Sequence, residues 1–405
     1  MNDPKEVLWR LVAGESLSRE ETEELFGALM DGQVSEPIKA ALLVALRMKG
    51  EAVSEISGAA AAMRRRVIPI PHTSEGIVDT CGTGGDGRGT FNISTAAALV
   101  AAAAGVSVAK HGNRSVSSKS GSADVLAALG VKIEIDPATA GQALDTVGIT
   151  FLFAPLLHPA MREVMPVRRE LGMRTIFNVL GPLTNPAGAR RQVMGVYSQA
   201  LVEPIGQVLR DLGAEHALVV HGDGLDEITT TGSTTVSEVR DGEVRTYTLE
   251  PERFGLRRVR VEDLAGGMPE DNAALMHRVF GGETGPLADV TALNAGAAIY
   301  VAGLASSLEE GVETARSVLA SGAAAGKLDE LKGFLGWRLR TSWCASPSAA
   351  ASRSPSSRTT FLKGSPSPGP TMLSWQRSPK RIPQSSPRSR WAPLAWARST
   401  AGSIR

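Results

Sequence analysis

The stretch DTCGTGGDGRGTFNIST, residues 79–95, places Gly82, Gly84, Gly85, Gly87 and Gly89 in one short loop and then runs into the alanine-rich segment 96–104. Glycine lets backbone amides turn toward an anion with no Cβ in the way. A helix N-terminus adds unpaired N–H groups and partial positive charge. The combination reads as a cradle for phosphate or pyrophosphate, although a bare glycine loop also suits a structural turn. A nucleotide P-loop is excluded because no Lys-Ser/Thr pair follows the glycines. The spacing Gly82-Thr83-Gly84-Gly85-Asp86-Gly87 satisfies a dinucleotide fingerprint, but Asp86 would face the pyrophosphate. No acidic residue ends a strand some twenty residues later, where Val106-Ser107-Val108-Ala109-Lys110 stands instead. An acid among the glycines points to a magnesium-bound phosphate.

Outward from the loop the pattern is α/β. Short apolar runs at 77–79, 106–110, 131–135, 149–153, 192–197 and 216–220 read as strands, separated by helical segments such as 123–129, 137–147 and 201–212. Such alternation predicts a central, largely parallel sheet flanked by helices. Ligands of these sheets bind at the carboxyl ends of the strands, where the glycine loop and the second loop, Lys110-His111-Gly112-Asn113-Arg114, both emerge. Residues 241–260 read as a short antiparallel excursion around Asp241-Gly242. The first seventy residues read as helices only. Ser18-Arg19-Glu20-Glu21 is a capping box, Glu36-Pro37 after Ser35 starts a second helix, and 52–66 forms a third with a basic end.

Composition narrows the class. Two cysteines, Cys81 and Cys344, leave no disulfide framework and point to a reducing compartment, the cytoplasm. The N-terminus lacks a signal peptide's apolar core, and the longest apolar run, 96–108, is too short to span a membrane. The overall charge of +1 hides an asymmetry. Residues 337–405 hold twelve Lys/Arg and no acid, so the remainder carries 31 basic against 42 acidic residues, a net −11. The same tail holds five of the six Trp, sixteen Ser and nine Pro, without hydrophobic period. We read it as a GC-rich gene translated in the wrong frame, with a disordered basic tail as the alternative. No nucleic-acid role is built on it.

Three further groups carry possible chemistry. Lys110-His111-Gly112-Asn113-Arg114 with the Ser/Gly-rich 115–122 offers cations, hydroxyls and amides for a polyanion, or forms a solvated turn. His111 is either a general base or a shaper of the loop. Asp226 and Glu227 follow the strand at 216–220, and paired carboxylates there suit Mg²⁺, which takes few protein oxygens beside phosphate and water. Off a strand end such a pair is ordinarily a solvated surface feature. Arg162, Arg168, Arg169 and Arg174 flank 175–186; Arg168 on a helix's inner face could fork a substrate carboxylate, but spacing alone does not select it.

Taken in order, these motifs resemble the anthranilate phosphoribosyltransferase family. The resemblance rests on DTCGTGGDGRGTFNIST, on KHGNRSVSSKSGSADVLAALGV at 110–131, and on HPAMREVMPVRRELGMRTIFNVLGPLTNPAG at 158–188. HGDGLDEIT at 221–229 and NAGAAIYVAG at 294–303 complete it. It covers 1–336 and leaves 337–405 unmatched. It implies transfer of phosphoribose from 5-phosphoribosyl-1-pyrophosphate to the amine of anthranilate, with release of pyrophosphate, in tryptophan biosynthesis.

Carried over by residue, the resemblance implies a phosphoribosyl-pyrophosphate site at Gly82, Thr83, Gly84, Gly85, Asp86, Thr90, Asn92, Ser94, Thr95, Lys110 and Ser122. It implies anthranilate contacts at Gly82, His111, Asn113, Arg168 and Pro182, and magnesium, two ions per subunit, at Ser94, Asp226 and Glu227. It also implies a small helical domain, 1–72 with returning helices about 157–190, beside an α/β domain, 73–336, and a homodimer formed through the helical domain. Positioning and electrostatics, rather than a nucleophilic triad, would drive the transfer. A pyrimidine nucleoside phosphorylase and a non-catalytic nucleic-acid-binding relative share the architecture. The KHGNR loop with Arg168 disfavours the first, and the intact Asp226-Glu227 pair disfavours the second.

Overall fold

A computed structural model describes residues 3–115 and 119–344, with side chains described as far as Gly336. Four helices open the chain: α1 (Pro4–Val12), α2 (Arg19–Met30), α3 (Glu36–Lys49) and α4 (Val53–Arg64). The capping box stands as expected, with Ser18 Oγ accepting from Glu21 N–H and the Glu21 carboxylate accepting from Ser18 N–H. Their apolar faces bury Leu25, Phe26, Leu29, Leu42, Leu43, Leu46 and Ile56, each contributing about 1.5–3 kcal/mol relative to exposure. Glu55, wholly buried, knits the bundle by accepting from Leu17 N–H, Ala52 N–H and Lys49 Nζ.

The α/β part forms one seven-stranded sheet. Its strands are β1 (Val78–Asp79), β2 (Val108–Gly112), β3 (Ile149–Phe153), β4 (Arg191–Gly195), β5 (His216–Gly222), β6 (Thr234–Arg240) and β7 (Glu243–Leu249), in the order β3-β2-β1-β4-β5-β6-β7. The first five are parallel, while β6 and β7 form an antiparallel hairpin around Asp241-Gly242. From β1 the chain moves outward through β2 and β3, then returns to β4 on the other side of β1. The crevice at the carboxyl ends of β1 and β4 is therefore where such a sheet accepts ligands.

Helices cover both faces. After β1 come α5 (Ile93–Ala103), α6 (Ser122–Ala128) and α7 (Pro137–Val147); after β3 come α8 (Ala154–Leu157), α9 (Met165–Leu171) and α10 (Phe177–Leu180). Then follow α11 (Val202–Asp211), α12 (Pro269–Phe280), α13 (Pro286–Ala302), α14 (Leu308–Ser321) and α15 (Ala323–Cys344). One apolar cluster joins α5 and α13 to the sheet. A second joins α2–α4 to Val164, Val167, Phe177 and Leu180 of the α9–α10 segment, and to Met194, Val219 and α11. The chain between β3 and β4 thus returns to complete the helical lobe.

One predicted strand is absent. Residues 131–135 alternate buried Val131 and Ile133 with exposed Lys132 and Glu134, yet no strand lies beside them to complete a ladder. Alternation there reports one covered face, not sheet pairing. The strand predicted at 106–110 lies two residues later, at 108–112. The α15 helix continues through the composition change at Trp337. The expectation of a disordered or wrong-frame tail falls, beyond Cys344, outside the described residues.

Helices α2 and α4 cross at Gly58, where an added Cβ would meet Arg19 O at 2.3 Å and Thr22 Cβ at 2.8 Å. Glycine to alanine inside a helix ordinarily stabilises by up to about 1 kcal/mol. Here the sign reverses: Gly58→Ala should destabilise the protein by about 1–3 kcal/mol in urea denaturation. A neutral or stabilising result contradicts this crossing.

Candidate active site

The glycine loop leaves β1 and arrives at the N-terminus of α5. Gly84, Gly85, Gly87 and Gly89 all have positive φ, between +64° and +81°, which explains why side-chain-bearing residues do not occupy them. Two neighbours hold the loop. Thr83 N–H donates to Gly195 O at 2.8 Å, and Gly84 N–H donates to Asp226 Oδ2 at 2.7 Å. A Cβ on Gly195 would fall 1.5 Å from Asp226 O, so only glycine at the end of β4 lets the Asp226-Glu227 turn approach. Glu227 in turn accepts from Ser94 N–H at 3.2 Å, placing a carboxylate at the start of α5.

The electrostatics of this corner are unbalanced in a specific way. Asp226 is raised well above the usual carboxylate range, first by burial and then by Asp86 beside it. Glu227 is also raised, by burial and by Asp226. Lys110 is the cation acting on Glu227, yet its buried ammonium is engaged by Thr80, donating to Thr80 O at 2.6 Å and Oγ1 at 3.3 Å. Thr80 Oγ1 donates onward to Ser94 O at 3.2 Å. Asp226 therefore stands between Asp86 and Glu227 beside the glycine loop, each acting on its charge. That oxygen-rich, charge-deficient set fits a divalent cation such as Mg²⁺.

A second trio, Asp79, Cys81 and His111, brings a carboxylate oxygen, Sγ and a ring nitrogen within 4.8 Å of one another. Its chemistry does not suit Mg²⁺, since burial drives the Cys81 thiol upward and thiols are poor magnesium ligands. Asp79 is raised to about 6 by burial; it accepts from His111 N–H at 3.1 Å and from Asn185 Nδ2 at 2.7 Å, and so ties the helical lobe's returning segment to β1 and β2.

Apart from Gly82, the predicted contacts of the second substrate come from β2 and its end, from the turn at Gly181-Pro182 and from α9. His111 Nδ1–H donates to Gly181 O at 3.2 Å, so its Nε2 accepts from His158 Nε2–H at 3.1 Å. His158 Nδ1 is then a buried lone pair with no partner. Pro182, next to Gly181, is buried and accepts from Gln192 Nε2 at 2.8 Å. Asn113 stands at the end of β2: its Oδ1 accepts from Arg114 N–H, and its carbonyl accepts from Ser122 Oγ at 3.3 Å. Arg168 lies on α9 with its guanidinium 5.4 Å from the Phe177 ring. Burial lowers it, its Nη1 lies against Met165 Sδ, and no carboxylate pairs with it among the described residues.

The structure thus gathers Gly82, Thr83, Gly84, Asp86, Ser94, Lys110, Asp226 and Glu227 into one corner. Gly85 faces Arg174, and Asn92 accepts from Ser120 Oγ and Asn272 Nδ2. Thr90 forms a bridge with Ala265, and the Thr95 hydroxyl is buried without a partner. Thr80, Tyr197 and Asn272 are site-building residues that the sequence did not single out. Thr80 had a signal, as it directly precedes the glycine loop; Asn272 had none, being 180 residues from Asn92.

Comparison with known proteins bears on the family and the fold. Family models described as "Glycosyl transferase family, a/b domain" and "Glycosyl transferase family, helical bundle domain" match residues 74–325 and 5–67. The chain is 54% identical over 327 residues to an anthranilate phosphoribosyltransferase of Rubrobacter xylanophilus, covering 80% of this chain and 95% of that one. The crystal structure of anthranilate phosphoribosyltransferase from Thermus thermophilus superposes with TM-score 0.78 at 52% identity, covering 81% and 99%. The Saccharomyces cerevisiae enzyme in complex with PRPP and Mg superposes with TM-score 0.75 at 28% identity, covering 82% and 98%.

Burial moves His111 from 6.5 to about 3 and His158 to about 4, so the unfolded chain binds more protons throughout the interval up to 6.5. The contribution of these two histidines to stability is complete above pH 6.5 and is lost as pH drops toward 4, by up to about 1.4 kcal/mol per pH unit for each, against an opposite contribution from the raised carboxyls of Asp79, Asp226 and Glu227. His158→Gln should remove at least one histidine's share of that slope, read from urea midpoints between pH 7 and 4.5. An unchanged slope contradicts a buried neutral pair.

Proposed function

The chain belongs to the anthranilate phosphoribosyltransferase family, and we propose that it transfers phosphoribose from 5-phosphoribosyl-1-pyrophosphate to the amine of anthranilate, releasing pyrophosphate, in tryptophan biosynthesis. The observation that carries this reading is the meeting of Asp86, Asp226 and Glu227 on an amide-lined glycine loop at the start of α5. Gly82, Thr83, Gly84, Gly85, Asp86, Thr90, Asn92, Ser94, Thr95, Lys110 and Ser122 hold the donor. Ser94, Asp226 and Glu227 hold magnesium, two ions per subunit. Gly82, His111, Asn113, Arg168 and Pro182 receive anthranilate.

The chemistry follows from what the side chains do. As the bond between ribose and pyrophosphate breaks, negative charge grows on the leaving oxygen and positive charge on the sugar. Loop amides and the α5 N-terminus stabilise the departing anion without reorganising. Bound magnesium supplies further charge neutralisation to the diphosphate. Lys110, held by Thr80, keeps its ammonium at the phosphoribosyl group. The anthranilate nitrogen is already nucleophilic, so the protein's task is alignment. Arg168 forks the anthranilate carboxylate, and neutral His111 lines the channel without adding charge.

The catalytic unit comprises the helical domain, 1–72 with its returns about 157–190, and the α/β domain, 73–336. Its medium is the cytoplasm, where the buried thiol Cys81 stays reduced. No helix of the described residues is long and apolar enough to cross a membrane. The helical domain exposes Trp9, Val12 and Met48, at 74%, 64% and 82%, on α1 and α3. These two helices pack together, and their exposed apolar side chains support a homodimer closed through them.

The test is loss of anthranilate fluorescence on mixing with the pyrophosphate donor and Mg²⁺, abolished by chelation. No turnover in the presence of both would sink the reading. Arg168→Ala should raise the apparent KM for anthranilate about 10–100-fold, the worth of a charge-assisted fork, with the donor's KM little changed. A change confined to the donor's KM would reassign Arg168. Trp9→Glu combined with Met48→Glu should shift the sedimentation of the protein from dimer to monomer. A dimer of undiminished stability would place the interface elsewhere.

A further inference from the structure

We propose that Arg174 is a positioning residue for the pyrophosphate donor, latching the glycine loop to the helical lobe through Gly85 and Tyr197. Arg174 stands in the short segment between α9 and α10, two residues beyond Gly172, which ends α9 in a left-handed conformation. Its Nη2 donates to Gly85 O, and its guanidinium carbon lies 4.1 Å from the centre of the Tyr197 ring. It has no carboxylate partner among the described residues, so its contacts run to that carbonyl and that ring.

Tyr197 is itself fixed to the loop. It follows β4, and its N–H donates to Thr83 Oγ1 at 3.0 Å, while Thr83 N–H returns to Gly195 O. Burial raises its phenol, and Arg47 and Glu51 at the end of α3 act on it. Arg174 and Tyr197 thus join the helical lobe to the loop from one side, while Asp226 grips Gly84 N–H from the other.

The physical need for a latch lies in the glycines. Gly84, Gly85, Gly87 and Gly89 carry no side chain to pack, and nothing lies within 4 Å of where Cβ atoms of Gly84, Gly87 and Gly89 would be. Such a loop loses more entropy on ordering than any other. A peptide unit is planar and trans, so a donor that holds Gly85 O also sets the direction of the following N–H, that of Asp86. Arg174 therefore orients an amide that the pyrophosphate can use. An arginine suits this task because its planar cation stacks and donates together, which lysine cannot do.

The inference rests on the proposed phosphoribosyl transfer, and two measurements keep their fates apart. Amide hydrogen exchange on the free protein reads the latch alone. Arg174→Ala should speed exchange across 83–89 by about tenfold, and Tyr197→Leu should do the same, without additivity between them. Tyr197→Phe, which keeps the ring, should behave as wild type. In steady-state kinetics Arg174→Ala should raise the KM for the pyrophosphate donor about tenfold while leaving the KM for anthranilate within about twofold. Arg174→Lys should recover only part of the loss.

Unchanged exchange in 83–89 overturns the latch. A parallel rise in both KM values with a lowered melting temperature also overturns it, since a general packing role would do that. An inactive wild-type protein would sink the transferase reading, and the exchange experiment would still decide the latch.

Discussion

Asp226 and Glu227 stand half-buried at the carboxyl end of the parallel sheet, held there by two backbone N–H groups from distant parts of the chain. Taking two adjacent carboxylates even partly out of water is costly unless something offsets their charge. Gly84 N–H, Ser94 N–H and the α5 N-terminus do part of this, and a divalent cation would do the rest. Several other features exist to permit that placement: glycine at 195, glycine at 82, and a β4 that ends where the turn must pass. The proposed magnesium–pyrophosphate complex would supply the positive charge that offsets these carboxylates.

In the proposed reaction the two substrates would meet where the sheet's strand ends face the helical lobe. The sheet supplies strand ends and a loop of amides, suited to an anion. The helical lobe supplies Arg168, and its returning segment carries Gly181 and Pro182 against His111. Asn185, reaching Asp79 and Ala109 O, fastens that segment to the sheet. A chain that left the sheet after β3 and came back at β4 without this detour would keep the glycine loop but lack Arg168, Gly181 and Pro182.

Legibility differed by interaction range. The helices of the first seventy residues were readable because caps and apolar spacing act within one or two turns: Ser18 with Glu21, Glu36-Pro37 after Ser35. The parallel strands were readable as short apolar runs between helices. Residues 131–135 misled because alternation records only which side is covered, and Val131 and Ile133 are covered by helices rather than paired in a ladder. The bond from Asn272 to Asn92 and the stacking of Arg174 on Tyr197 left no trace in local pattern.

By itself the sequence determined the alternation that makes the parallel sheet, the glycines that allow positive φ in the loop, and the identity of the charged residues. These are properties of each residue and its near neighbours. Only the tertiary structure decided that Asp86, Asp226 and Glu227 share one corner, that Lys110 is turned to Thr80, and that His111 is neutral against His158. Burial and charge proximity set those states, and both depend on which distant segments the sheet order brings together.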